Sequence, residues 1–317
     1  MIRNQKILVA ILNWGLGHAT RTIPIIEELL SFGNEIHLAS DGHAADVLRE
    51  TFPKLPLLQL PSYDPKYPSD NMIWNMATQL PKFWRTKCNE HKSIIAYGDA
   101  HKIDVVISDN RYGCFLPGAK NIFISHQLNL QVPIASALAN HWHARFLNAF
   151  EEVWIPDDPN KTLSGKLSDT TYLNPKISVK YVGIQSRLKR GTRQNIFDIA
   201  VVLSGPEPQR SILEKLVTYQ LKSSGLKVIL VRGTINSKQI EDDVYAEVLD
   251  YAGCKKMSKI IAQSSFIVCR SGYSTLMDLK KLGGKALLIP TPGQTEQIYL
   301  ANRMQTLKKA AFQHQNE

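Results

Sequence analysis

Cysteine is scarce in this chain: four in 317 residues, Cys88, Cys114, Cys254 and Cys269. No two of them form a CxxC pair, so neither a zinc ribbon nor a dithiol redox site is supported. A disulfide framework is not expected in a chain of this length, which points to a reduced, intracellular setting. Long apolar runs are missing too. The first one, residues 7–12, is too short for a signal peptide and far below the ~20 residues of a membrane span. There is no HExxH and no DxD-like acid pair at a strand end, so no metal site is expected. No fixed repeat period appears, which excludes a solenoid. Acidic charge is in deficit: 38 Lys and Arg against 28 Asp and Glu, a net +10. That balance suits an anionic ligand, an anionic membrane surface or nucleic acid, or a merely basic solvated surface. The cations form no dense run, Arg187-Leu188-Lys189-Arg190 being the tightest, and no RNA-binding signature accompanies them. Nucleic acid is therefore not an expected partner.

What is present reads as an ordinary globular α/β protein, 44% hydrophobic and 21% charged. The length suits two domains. Residues 6–13 form a continuous apolar run, as in a strand buried on both faces of a parallel sheet. Helix signals over 20–32 and 44–51 alternate with strand signals over 35–40, 55–60, 104–108 and 121–125. A long helical region, 71–97, is expected to break at Pro81. Helix 133–150 and strand 152–155 follow, and residues 156–195 break the rhythm, with one strand at 178–182. A second βα series begins at 197. Its strands are 197–203, 227–232, 266–269 and 285–289, and its helices 209–222, 257–263, 274–282 and 295–308. This predicts two doubly wound domains, residues 1–185 and 186–317, with ligands at the carboxyl ends of the strands.

Four stretches carry chemistry. Cys269-Arg270-Ser271-Gly272-Tyr273-Ser274-Thr275-Leu276-Met277-Asp278 reads as strand, glycine turn and helix start, leaving backbone N–H groups to meet an anion. Asp278, one turn in, is placed for ribose hydroxyls if a nucleotide phosphate lies on the turn. The loop from Pro290 to Gln297 ends in Glu296 and Gln297. Asn13-Trp14-Gly15-Leu16-Gly17-His18 follows the first strand. It lacks the third glycine of GxGxxG and the Gly-Lys-Ser/Thr of a P-loop. His18 is either a base facing the ligand or a helix cap. Asp109, ending its strand, either orients an imidazole or caps the turn at Asn110 and Arg111. His126, after the next strand, is a further candidate at the same rim. His141 and His143 are read as packing or solvated.

The order of these stretches resembles the donor-binding half of GT-B glycosyltransferases, especially the group containing the peptidoglycan N-acetylglucosaminyltransferase. The resemblance covers both domains and is sharpest over 265–302. It implies a GT-B fold, two Rossmann-like domains facing a central cleft. It implies an inverting, metal-independent hexosyltransferase using a nucleotide-sugar, UDP-linked by analogy, with no further cofactor. His18 and Asp109 become the catalytic pair, with Asn110 and His126 on the acceptor side. The donor set becomes Gly17, Arg187, Ser204, Gly205, Arg232, Met257, Arg270, Ser271, Gly272, Ser274, Thr275, Asp278, Gln294, Glu296 and Gln297. Within it, backbone near Arg232 and Met257 would meet the base. Ser204 and Gly205 would meet phosphate, and Glu296 and Gln297 the sugar hydroxyls.

Each assignment has a plainer reading. Arg187 would solvate a linker, Ser204 and Gly205 would form a simple βα turn, and Glu296 would favour a helix dipole. Asn13-Trp14 departs from the extra glycines of the peptidoglycan enzyme, and this leaves the acceptor open. The family's C-terminal helix that crosses back onto the first domain has no clear counterpart after Phe312. Met72, Ile73, Trp74, Met76, Leu80, Phe83 and Trp84, interspersed with Lys82, Arg85 and Lys87, form either a core face or a peripheral membrane face. The expected location is cytoplasmic, on the inner membrane face in the second case. The expected partners are a UDP-sugar and a small or lipid-linked acceptor. A UDP-sugar epimerase of the same fold and a non-catalytic nucleotide-sugar binder are the alternatives.

Overall fold

The computed structural model describes residues 2–64, 72–131, 136–234 and 244–316, with backbone alone for 16 and 72–78. Two compact units divide the chain, Met1–Gln185 and Ser186–Glu317.

The first unit contains β1 (Lys6–Ile11), α1 (Leu16–Ser31), β2 (Glu35–Ser40), α2 (Gly42–Thr51), β3 (Leu57–Gln59) and α3 (Met72–His101). Next come β4 (Val105–Asp109), β5 (Lys120–Ile124), α4 (Ser136–Leu147), β6 (Glu152–Ile155) and β7 (Ser178–Tyr181). Its sheet runs β3-β2-β1-β4-β5-β6-β7, parallel throughout. Alternate residues of β1 feed opposite cores. Ile7, Val9 and Ile11 pack with Ile26 of α1 and Leu48 of α2, while Leu8 and Ala10 pack with Ile94 of α3. Burial on both faces is the reason the strand is apolar without alternation.

The second unit contains β8 (Phe197–Val202), α5 (Gln209–Leu221), β9 (Val228–Val231), β10 (Glu247–Leu249) and α6 (Cys254–Gln263). It closes with β11 (Ser264–Cys269), α7 (Tyr273–Leu282), β12 (Lys285–Leu288), α8 (Thr295–Thr306) and β13 (Ala311–Phe312). The sheet order is β10-β9-β8-β11-β12-β13, again parallel. In both sheets the chain starts in the middle and reverses direction, between β1 and β4 and between β8 and β11. Those are the switch points at which open α/β sheets bind ligands.

Several expectations change. The first helix starts at Leu16 rather than 20, because Gly15 alone, at φ 78°, turns the chain out of β1. The helix through Pro81 is continuous. Pro81 is exposed, so the carbonyl it leaves without a partner lies on the solvent side, while Thr86, Glu90 and Ile94 anchor the following turns. Strands β10 and β13 are additions; each is too short to leave a periodic signal.

The face beginning at Met72 is not simply core. Leu80 and Trp84 of α3 are each more than half exposed, as are Leu138 and Trp142 of α4. Phe146 adjoins Trp84, and the Lys87 ammonium lies over both rings. The side chains of Met72, Ile73, Trp74 and Met76 lie outside the described residues. No helix among the described residues is long and apolar enough to cross a membrane.

Candidate active site

At the end of β1 the chain turns at Gly15 and enters α1 at once, so Gly17 and His18 lie in the first helical turn. His18, Arg21 and Thr22 are spaced i, i+3, i+4, which puts them on one face. That face looks toward the ends of β4 and β5, since Ile11, Asp109 and Ile124 are level in the sheet register. The His18 Nδ1 is 2.8 Å from Asp109 Oδ1. Arg21 donates through Nε to Asp109 Oδ2 at 2.9 Å and through Nη2 to Oδ1. Thr22 Oγ1 donates to Asp109 Oδ2 at 2.7 Å. Arg21 Nη1 is 3.0 Å from His126 Nδ1.

Asp109 is fully buried, Arg21 and His126 are buried, and the His18 side chain keeps 15% exposure. Burial would raise the Asp109 carboxyl, but the Arg21 charge, then His18, outweigh it and hold the group well below the usual carboxylate range. Burial and then the Arg21 charge push the His18 imidazole below its ordinary value, against the pull of Asp109. A neutral imidazole beside a permanent carboxylate is the state a general base needs. Asn110 follows at φ 56°, a left-handed position Asn tolerates. The N–H of Arg111 goes to Ser108 Oγ, so the turn has its own acceptor and the Asp109 carboxylate is turned to α1. Arg111 itself is buried between Glu90 and Asp41.

The second unit repeats the layout with different chemistry. Arg270 follows β11 and is 1% exposed. Its Nη1 donates to the Ile289 and Pro290 carbonyls, each at 3.2 Å, and its Nη2 to the Gln209 carbonyl at 2.8 Å. No carboxylate pairs with it among the described residues, and its Nε has no partner. Burial lowers its pKa to about 10. Next to it, the buried Thr291 Oγ1 also lacks a partner, 3.5 Å from where a Cβ on Gly205 would lie.

Helix α7 begins directly after, without a side-chain cap or an acid in its first turn. Gly272 has φ −67°, and a Cβ there would meet only Thr275 Oγ1 at 3.9 Å. Neither backbone nor crowding demands that glycine, so what it preserves is open space before Ser274 and Thr275. Helix α5 differs: Glu207 accepts from the Ser211 N–H at 3.2 Å and pairs with Arg210, so an acid already occupies its N-terminus. Ser204 and Gly205, ahead of it, are exposed.

Asp278 of α7 is bonded by Ser186 Oγ. Burial pushes its carboxyl up to about 6, partly offset by that bond and by the charges of Arg187 and Lys281. Ser271 Oγ donates to the Gln297 carbonyl at 2.8 Å. The Gln297 amide accepts from Thr291 N at 2.9 Å and donates to Gln294 Oε1 at 2.5 Å, bracing the loop before α8. Glu296 lies in the first turn of α8.

Arg232 is directed inward: its Nε meets Glu214 at 2.8 Å and its Nη1 Asp250 at 3.3 Å. Its N–H donates to the Leu249 carbonyl, and its own carbonyl accepts from Arg210 at 3.3 Å, which leaves that oxygen a second lone pair. Met257 packs on the core that includes Phe197 and Ile229.

Sequence reasoning missed Arg21, Thr22, Ser186 and Thr291. Arg21 and Thr22 had a usable signal, the i+3 and i+4 spacing from His18 on the same helix.

Residues 201–317 match the glycosyltransferase family 28 C-terminal domain. The structure also resembles the glycotransferase of kitacinnamycin, with a TM-score of 0.70 and 16% identity, covering 100% of this chain and 88% of that one. The chain is a glycosyltransferase of the GT-B fold, and its match to family 28 lies over residues 201–317. An uncharacterized glycosyltransferase of Methanosarcina mazei is 24% identical to the transferase over 325 residues, 92% of this chain and 81% of the relative. The spinosyn rhamnosyltransferase SpnG complexed with thymidine diphosphate has a TM-score of 0.64 and 12% identity to the transferase, covering 97% and 86%.

Proposed function

We propose that this glycosyltransferase moves a sugar, with inversion, from a UDP-linked donor to a hydroxyl acceptor, without a metal or further cofactor. The observation that carries the reading is the buried Asp109 holding a neutral, partly exposed His18. His18 takes the acceptor proton as the hydroxyl oxygen attacks the anomeric carbon, and the nucleoside diphosphate leaves. Asp109 stabilises the imidazolium that forms.

The donor half rests on α7. Its N-terminal N–H groups and the unneutralised Arg270 suit a diphosphate, whose charge grows as it departs. Asp278 is the ribose acceptor group, and Ser204, Gly205 and Thr291 line the phosphate side. A neighbour of the same fold crystallised with thymidine diphosphate, which supports a pyrimidine diphosphate as the ligand class. UDP itself comes from the family resemblance.

Peripheral contact with a membrane belongs to the same reading. Leu80, Trp84, Leu138 and Trp142 are exposed beside Lys82, Arg85 and Lys87, which suits an anionic headgroup layer and a lipid-linked acceptor.

The test is a panel of UDP-, GDP-, dTDP- and ADP-sugars followed by calorimetry and by NMR of the anomeric proton. One UDP-sugar should bind and release UDP slowly. It should do so with inverted anomeric configuration, and Asp278→Ala should abolish binding. Silence across the panel from folded protein overturns the donor assignment.

A further inference from the structure

We propose that Arg21 holds the two rim histidines in opposite tautomers, His18 protonated at Nδ1 and His126 at Nε2, so that the cluster contains a single base. The assignment follows from counting donors. A guanidinium has N–H donors and no acceptor. Its Nη1 is 3.0 Å from His126 Nδ1. That nitrogen must therefore present a lone pair, and the ring proton lies on Nε2.

His18 is the opposite case. Its Nδ1 has two neighbours, Asp109 Oδ1 at 2.8 Å and Arg21 Nη2 at 3.0 Å. An unprotonated Nδ1 would set its lone pair against a carboxylate oxygen in a buried pocket. A protonated Nδ1 donates to Asp109 and leaves Arg21 Nη2 to bond the same carboxylate. His18 thus carries its lone pair at Nε2. The charged and titratable groups that bear on His18 are Arg21 from α1, Asp109 from β4 and His126.

Arg21 is accordingly a positioning residue. It fixes Asp109 through two bonds and denies His126 the tautomer in which Asp-assisted base chemistry would be possible. Calling His18 the base rests on the function proposed above; the tautomers do not.

The experiment is a long-range proton–nitrogen correlation spectrum of uniformly nitrogen-15-labelled wild-type protein near pH 7.5. His18→Gln and His126→Gln spectra assign the two rings. His18 should show a protonated Nδ1 and His126 a protonated Nε2. In Arg21→Lys the cation is kept but the fork is lost. There, His126 should lose its fixed pattern and average between tautomers while His18 keeps its own. A protonated Nδ1 on His126, the same tautomer on both rings, or an unchanged His126 in Arg21→Lys overturns the proposal. The measurement needs no substrate. Opposite tautomers in a protein inert to every donor would therefore retire the functional reading alone, and matching tautomers in an active enzyme would retire this inference alone.

Discussion

Arg21 and Arg270 are both buried arginines near the switch point of a parallel sheet, yet they are satisfied in opposite ways. Arg21 meets a carboxylate with two bonds and an imidazole with a third. Arg270 meets three backbone carbonyls and, among the described residues, no carboxylate, and its Nε is left without a partner. A buried charge is ordinarily paired, because removing it from water is costly. Arg21 is therefore neutralised by its own carboxylate, whereas Arg270 keeps a charge that no carboxylate among the described residues neutralises. Under the proposed function, the contrast separates a site that would act on a proton from one that would receive a charged group.

The largest effect expected from breaking this comparison is on turnover. His18→Ala should lower kcat about 10²–10⁴-fold, the usual worth of a positioned base. The calorimetric affinity for the nucleotide-sugar should stay unchanged, because His18 is proposed to take the acceptor's proton and not to bind the nucleotide. Stability comes next, with opposite signs for the two arginines. Arg21→Met strands the Asp109 carboxylate and should destabilise the protein by about 3–5 kcal/mol in denaturant titration. Arg270→Met removes an uncompensated charge. It should leave the unliganded midpoint unchanged or raise it, while ending the stabilisation that added UDP gives the wild type. Equal losses from both arginine variants would erase the distinction.

A smaller effect sharpens the donor side. With its folded pKa raised to about 6 from 3.8, Asp278 favours the fold below the lower value. That contribution is lost as pH rises through 6, which amounts to about 2–3 kcal/mol at pH 8. Asp278→Asn should therefore raise Tm at pH 8 and not at pH 4, while weakening nucleotide binding. The smallest shift concerns the acid limb of kcat/KM. His18 is held below its ordinary value, so the limb should fall below pH 6.5, and Arg21→Lys should displace it only slightly because the cation remains. A limb well above 6.5 in wild type would contradict the burial of His18.

Much of the layout was legible in the sequence, for identifiable reasons. Strands buried on both faces write continuous apolar runs, so β1, β4 and β11 were plain. A glycine after such a run marks a turn, so the stretches around Gly17 and Gly272 were found. The start of α1 was misplaced because Gly17 looks like loop, although only Gly15 has a positive φ. The break at Pro81 was expected from a rule that fails where the lost bond faces water. The ion pairs of the Arg232 side chain with Glu214 and Asp250 join residues distant in sequence and leave no local signal. Arg21 was overlooked because arginine is seldom fully buried and usually signals solvent. The bond from Asp278 to Ser186 spans 92 residues and leaves no local trace.

The unneutralised guanidinium of Arg270 also has a bearing on how long the protein survives in a cell. Under the proposed function, a nucleotide bound beside Arg270 would stabilise the folded form. The unfolded fraction then falls as that ligand accumulates, and proteases that cut the open form find less of it. Abundance of the transferase would follow supply of the nucleotide without any regulator, simply because chains left empty are degraded sooner than chains that are occupied.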